Sequence, residues 1–381
     1  MTSMSHRLKS IDALRGLVIV FMLLDHVRET FFLHRQVIDP MDVASTSPDL
    51  FFSRIASHLC APVFVFLTGL GAFLYGAKHN DRAAVSSFLF KRGLFLVILE
   101  FTLVSLAWTF QFPPKVIYLQ VIWAIGLSMI MLSALVWLPR AALITIGLVL
   151  VAGHNLLDGV HFPVGSPFHV PWAILHDRGW IELGESLRLR TSYPLLPWIG
   201  VIALGYAVGP WFTQLNPSER QKRLLGWGLG ALLLFLVLRM INGYGQAQQW
   251  VTGETPLLTV MSFLNITKYP PSLLFLSLTL GLGLLLLVLF ERKPESRLLH
   301  WFTVFGAAPM FFYILHLYVL GVLYRIAVAL FGLNQGMYFG FDHVWALWIS
   351  AIVLAFALYW PVRWFAHLKA RRRDITWLKY F

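Results

Sequence analysis

Apolar runs of about 20 residues recur along the whole chain, separated by short polar and basic stretches. Such a run, at a rise of about 1.5 Å per residue, spans the hydrocarbon core of a bilayer. LLGWGLGALLLFLVLRMI and SLLFLSLTLGLGLLLLVLF are two of them. The pattern predicts ten spanning helices, at about 11–31, 55–76, 88–109, 116–137, 141–157, 194–212, 223–241, 270–290, 300–330 and 343–366. The ninth is long for one crossing, and Gly306 and Pro309 near its start predict a kink or a short interfacial lead-in. Polar segments at about 32–54 and 158–193 stand out as external loops, and WIELGESLRLR in the second reads as a short amphipathic helix. No internal repeat or low-complexity stretch divides the chain. The expected fold is therefore all-α: one polytopic membrane domain over 1–381.

Composition strengthens this class. Of 381 residues, 58% are hydrophobic and 13% charged, against about 25% charged in an average soluble domain; the mean hydropathy is +0.71. With the N-terminus inside, 19 basic residues flank the spans on the cytoplasmic side and eight on the other, which predicts cytoplasmic termini. The net charge of +12 then reflects loops facing anionic membrane lipids, and the tail KARRRD reads as an anchor, with no nucleic-acid partner. A single cysteine, Cys60, excludes an internal disulfide or a thiolate metal cluster, and its apolar setting reads as inert burial. Arg15 and Asp25 interrupt the first apolar stretch and no small-residue cleavage site follows it, so the first helix is expected to be retained.

Charges inside spans are costly and mark function by default. Arg15 and His26 lie eleven residues apart in LRGLVIVFMLLDH, on one face of a helix and about 16 Å apart along its axis. Asp25, Arg28, Arg54, His58, His154, Arg239, His316 and Arg325 share the outer half, and Glu100 lies mid-helix in the third span. Four histidines from four helices, His26, His58, His154 and His316, point to an active site or an ion path. The plainer reading is that each one bridges a helix pair by hydrogen bonds. Histidine needs no large pKa shift to act as a base near neutrality. Asp25 points about 100° away from His26, so an orienting partner from another helix, such as Glu100, is equally open. The histidines share no i, i+4 spacing, and no metal is expected.

These residues also resemble a family. RLKSIDALRGLVIVFMLLDHVRETFF looks like the first helix of transmembrane acyltransferases, closest to the bacterial heparan-α-glucosaminide N-acetyltransferase-like domain family. FFSRIASHLCAPVFVFLTGLGAFLYG resembles its second helix and FLFKRGLFLVILE its third. VIWAIGLSMIML, YPLLPWIGVIALGYAVG and FGAAPMFFYILHLYVLG are similar to later segments, so the likeness spans nearly the whole chain. It implies transfer of an acyl group, usually acetyl from cytoplasmic acetyl-CoA, to a sugar or glycan on the far side of a bacterial inner membrane. Arg15 and His26 match the arginine–histidine pair that recurs in the wider superfamily. The family's catalytic histidine after the first helix would correspond here to His34 or His58, and acceptor choice would fall to the two external loops.

The physics is compatible with that implication. Arg7, Lys9, Arg15, Lys91 and Arg92 at inner helix ends are partners for the phosphates of an acyl-CoA. His26, His58, His34 and Asp25 are the candidates for catalysis. A proton-coupled secondary transporter using the same histidines as a relay is the main rival, and a scaffold or sensor would leave the buried charges unexplained. A homodimer stays open.

Overall fold

The computed structural model describes residues 8–184, 186–372 and 374–381; Arg7, Glu185 and Arg373 lie outside them. The chain is mostly helical. In order, the helices are α1 (Lys9–Phe31), α2 (Pro48–Ser57), α3 (Cys60–His79), α4 (Arg82–Leu99), α5 (Ser105–Thr109), α6 (Val121–Leu135), α7 (Arg140–Gly153), α8 (His169–Leu175), α9 (Leu196–Ala207), α10 (Pro210–Gln214), α11 (Pro217–Ile241), α12 (Pro256–Leu264), α13 (Leu273–Arg292), α14 (Arg297–Ala307), α15 (Pro309–Phe331) and α16 (Val344–Arg371).

Among the described residues, seven helical stretches are long and apolar enough to cross a bilayer: Pro48–His79, Arg140–Leu157, Leu196–Gln214, Pro217–Ile241, Leu273–Arg292, Pro309–Phe331 and Val344–Arg371. The other three expected spans are also helical, each with a physical reason for standing apart. Helix α1 carries Lys9, Asp12, Arg15, Asp25, Arg28 and Glu29. The expected span 88–109 is interrupted by a π-helical turn at Glu100–Val104 between α4 and α5. Helix α6 has only 15 residues, because 116–119, read above as its beginning, are a strand.

That strand corrects the all-α expectation. β1 (Val116–Leu119), β2 (Trp180–Leu183) and β3 (Leu187–Thr191) form a three-stranded sheet in the order β1-β3-β2. β3 runs parallel to β1 and antiparallel to β2. The expected interfacial helix at 180–190 is thus a hairpin. Its residues alternate with period two, and Gly184 adopts φ +75, the left-handed conformation that favours glycine. Arg188 and Arg190 lie 4.3 and 4.9 Å from the centre of the Trp180 ring, a cation–π stack along one sheet face.

Two compact units emerge, Met1–Cys60 with Leu282–Phe381, and Ala61–Gly281. In the first, α1 packs along α14, α15 and α16. The break at Ala308 has a local cause: the residue before a proline is pushed off the helical region, and Pro309 then opens α15 at its first turn. Helix α14 is no surface lead-in, however. Its Gly306 faces the Asp12 carbonyl, and Gly16 of α1 faces the Phe302 carbonyl, with no room at either glycine for a side chain. Small residues permit this approach of two backbones. The sulfur of Cys60 lies buried 3.1 Å from the Val18 carbonyl, which suits the inert reading. Pro62 cannot supply the N–H that would reach back to residue 58, and the chain turns at His58 between α2 and α3.

In the second unit α4 packs on α6, and α7 and α6 pack on α9. Leu143, Ala203 and Ala207 form an apolar kernel there.

Candidate functional site

The first unit brings two of the expected residues together. His26 on α1 and His316 on α15 are both buried, with His26 Nδ1 2.6 Å from His316 Nε2 and the rings within 7° of parallel. The proline-started α15 presents Phe312, Tyr313, His316, Leu317 and Leu320 as a buried stripe at helical spacing. Phe312 stacks on His316, and Tyr313 meets His26 edge-on with ring centres 5.9 Å apart.

The partners fix the hydrogens. His316 Nδ1 lies 2.7 Å from the Phe312 carbonyl, which only accepts, so that nitrogen carries the hydrogen. In the neutral ring its Nε2 then holds the lone pair, and His26 Nδ1–H donates to it. The basic lone pair of His26 is consequently on Nε2. On His26 Nδ1 the partner is His316.

Around the pair, Asp25 is engaged by Arg28, whose Nε and Nη2 donate to it at 3.0 and 2.9 Å, and Arg28 also reaches Glu29. Arg54 pairs with Asp39 at 3.3 Å, both buried. His58 is 2% exposed at the α2–α3 turn. His34 sits in a short 3-10 turn packed under Gly340, and burial, with the charge of Arg35, lowers its pKa below the ordinary imidazole value. At the other end of α1, Arg15 donates to Asp12 at 2.9 Å and to the Gly306 carbonyl at 3.1 Å, with part of its guanidinium exposed. Lys9 is exposed on the same helix; Lys91 and Arg92 lie on α4 of the second unit. Arg325 is exposed and donates to the Gly321 carbonyl within its own helix.

Other expected site residues make hydrogen bonds to backbone within the second unit. His154 has Nδ1 at 3.0 and 3.1 Å from the Leu150 and Val151 carbonyls and Nε2 at 2.9 Å from the Pro271 carbonyl. Arg239 donates to the carbonyls of Phe263, Gln248, Ser262 and Asn265 at 2.8–3.1 Å. Glu100 is fully buried and accepts the Trp123 N–H at 2.9 Å, capping the start of α6. Of the four histidines, His26 and His316 are bonded to each other, His58 lies in the same unit and His154 in the other.

The second unit holds a feature that the sequence did not reveal, a cavity of about 370 Å³ lined by Asn155, Asp158, His176, Asp177, Arg178 and Thr267 among others. His176 is its hub. Its Nε2 lies 3.0 Å from the His154 carbonyl and 3.4 Å from Asp158, and its Nδ1 3.6 Å from Asp177. Burial disfavours the charged ring, but the hydrogen bonds to Asp158 and the His154 carbonyl outweigh it and raise the pKa of His176. Burial likewise opposes ionisation of Asp158, yet His176 and Asn155 hold its carboxyl below the usual carboxylate range.

The sign follows from linkage. A histidine pKa raised on folding gives stability that is complete below about pH 6.5, the unfolded value, and is lost as pH rises through the folded value. Thermal melts of the protein should therefore fall as pH rises from about 6.5, and His176→Gln should flatten that slope. An unchanged slope in the variant would show that His176 stays neutral.

Fold and site together define a polytopic helical membrane protein with a buried, hydrogen-bonded histidine pair. The profile of the family described as heparan-alpha-glucosaminide N-acetyltransferase, catalytic, matches residues 7–239, and the chain belongs to that family. A comparison with curated proteins gave no match. Membership and helices together mark a membrane protein of acetyltransferase type; among the described residues no group of three or more His, Cys, Asp or Glu is placed to hold a metal. His316 lies beyond the matched segment.

Proposed function

We propose that the chain is a transmembrane acyltransferase that moves an acetyl group from cytoplasmic acetyl-CoA to a sugar or glycan acceptor outside a bacterial inner membrane. In this reading the whole chain is one catalytic domain, crossing ten times with both termini inside. The observation that carries it is the 2.6 Å bond between His26 and His316.

The donor supplies an activated thioester. His26 Nε2 takes the proton of the acceptor hydroxyl or amine as that group attacks the acyl carbon. The imidazolium formed keeps its Nδ1–H on His316 Nε2, which holds the ring and shares its charge as a carboxylate does in other dyads. As the carbon–sulfur bond breaks, the same Nε2 proton passes to the departing thiolate, which restores the neutral pair. A partner without charge suits a buried site, because no second ion has to be desolvated.

The donor's phosphates need cations in reach, and partly exposed Arg15 and exposed Lys9 and Lys91 suit them, with Arg7 and Arg92 as further partners. Arg15→Ala should weaken acetyl-CoA binding by about 1–3 kcal/mol, the worth of a hydrogen bond to a charged group. Isothermal titration with detergent-solubilised protein measures it. Unchanged affinity in a folded variant would leave Arg15 as the clasp between Asp12 and Gly306.

A further inference from the structure

The three-stranded sheet of the second unit has two unlike faces. Its register sets Ile117, Leu189 and Ile181 side by side on one face, and all three are buried. Alternation then puts Tyr118, Arg190 and Trp180 in one row of the opposite face, with Val116, Arg188 and Glu182 in the next. Arg178, two residues before Trp180, brings a third guanidinium.

These cations sense one another. Burial, with the charges of Arg178 and Arg188 close by, lowers the pKa of Arg190 below the ordinary arginine value. Glu182 meets Arg188 at 2.9 Å. Among the described residues, Arg178 and Arg190 make no ion pair and no side-chain hydrogen bond. Each is held on an aromatic ring instead, Arg190 at 4.9 Å from the centre of Trp180 and Arg178 at 5.0 Å from that of Tyr269. A stacked guanidinium keeps its edge N–H donors open, in the fork that matches two oxygens of a phosphate. The face is complementary to an oxyanion.

The path of the chain decides which one. β1 leads into the apolar helix α6 through Gln120 alone, and β3 leads through four residues into Leu196–Gln214, a stretch able to span the bilayer. Three residues of backbone reach about 11 Å at most, so Tyr118 lies within that distance of the start of α6. The headgroup layer is about 5–8 Å deep on each side of the hydrocarbon. Arginine side chains bridge the remainder by snorkelling, and tryptophan and tyrosine favour that level. Lipid phosphates are therefore the oxyanions that meet this face at high local concentration.

We propose that this face of the sheet binds the phosphates of anionic phospholipids in the leaflet it borders, with Arg178 and Arg190 as ligands and Tyr269 and Trp180 as their supports. The site ties the sheet to the membrane surface whatever reaction the chain performs.

The test is photocrosslinking of the full chain in nanodiscs to phosphatidylglycerol carrying a photoreactive headgroup, with the labelled peptides mapped by mass spectrometry. Labelling should concentrate on residues 115–119 and 178–193, and the same probe on phosphatidylcholine should label them about tenfold less. Arg178→Gln combined with Arg190→Gln should lower this labelling about tenfold, with labelling beside Arg371 and Arg372 as in the parent. Arg190→Lys, which keeps the charge and loses the fork, should fall between. Thermal melts check folding; should the double variant not fold, Arg178→Gln alone, at an exposed position, is expected to lose about threefold. Free glycerol phosphate should not displace the lipid. Labelling spread evenly over the chain, folded variants labelled like the parent, or displacement by glycerol phosphate would each overturn the proposal, the last in favour of a soluble phosphate ligand.

Discussion

Replacing His26 with alanine is expected to lower acetyl transfer by roughly 10²–10⁴, the usual worth of a general base, with acetyl-CoA affinity nearly unchanged. The split follows from the geometry. In the proposed reading Arg15, about 16 Å from His26 along α1 by helical rise, holds the donor's phosphates, whereas His26 Nε2 moves the proton. His316 supplies a control. His316→Leu removes the acceptor for His26 Nδ1–H and should also be slow, while His316→Gln, whose amide oxygen still accepts that hydrogen, should recover part of the rate. Initial rates with labelled acetyl-CoA and membranes of each variant measure this. Substantial residual activity in His26→Ala would move the base to His58 or His34; full activity in all three variants would end the histidine mechanism.

The largest structural effect is expected at Gly306. A methyl group there would collide with the Asp12 carbonyl, and one at Gly16 with the Phe302 carbonyl, both backbone atoms that cannot swing aside. Overpacking against movable side chains costs about 1–3 kcal/mol; a backbone clash lies at or above the top of that range. Parting α1 from α14 also pulls Arg15 from the Gly306 carbonyl. Gly306→Ala should give little monodisperse protein and a markedly lower melting temperature. Gly226→Ala on α11, where nothing lies within 4 Å, should instead be neutral or slightly stabilising through helix propensity. A Gly306→Ala protein that melts like the parent would show that the two helices can separate freely.

Much of the helical layout was legible in the chain, because burial in lipid writes itself as long apolar runs. The Pro309 break was legible for a similarly local reason. What escaped depends on distant partners. The hairpin at 180–191 alternates with period two, but the pairing of β3 with β1 is non-local, and the segment's charges mimicked an amphipathic helix. His316 stood out as ionisable, yet its task is set by His26 and by the Phe312 carbonyl. His154 and Arg239 looked functional because they are polar in apolar surroundings; their partners are backbone carbonyls, which leave no mark in a sequence. The cavity gathers Asn155, Asp158, Thr267 and Ser272 from segments that nothing local connects.

In the proposed reading this chain transfers an acyl group and His26 moves the proton. The direct measurement is incorporation of labelled acetyl from acetyl-CoA into neutral and amino sugars by purified protein reconstituted in liposomes, run beside His26→Ala. Saturable incorporation by the parent and a loss of roughly 10²–10⁴ in the variant are expected. No incorporation by folded parent protein, together with pH-gradient-driven solute uptake that His26→Ala abolishes, would contradict that reading and identify a proton-coupled transporter.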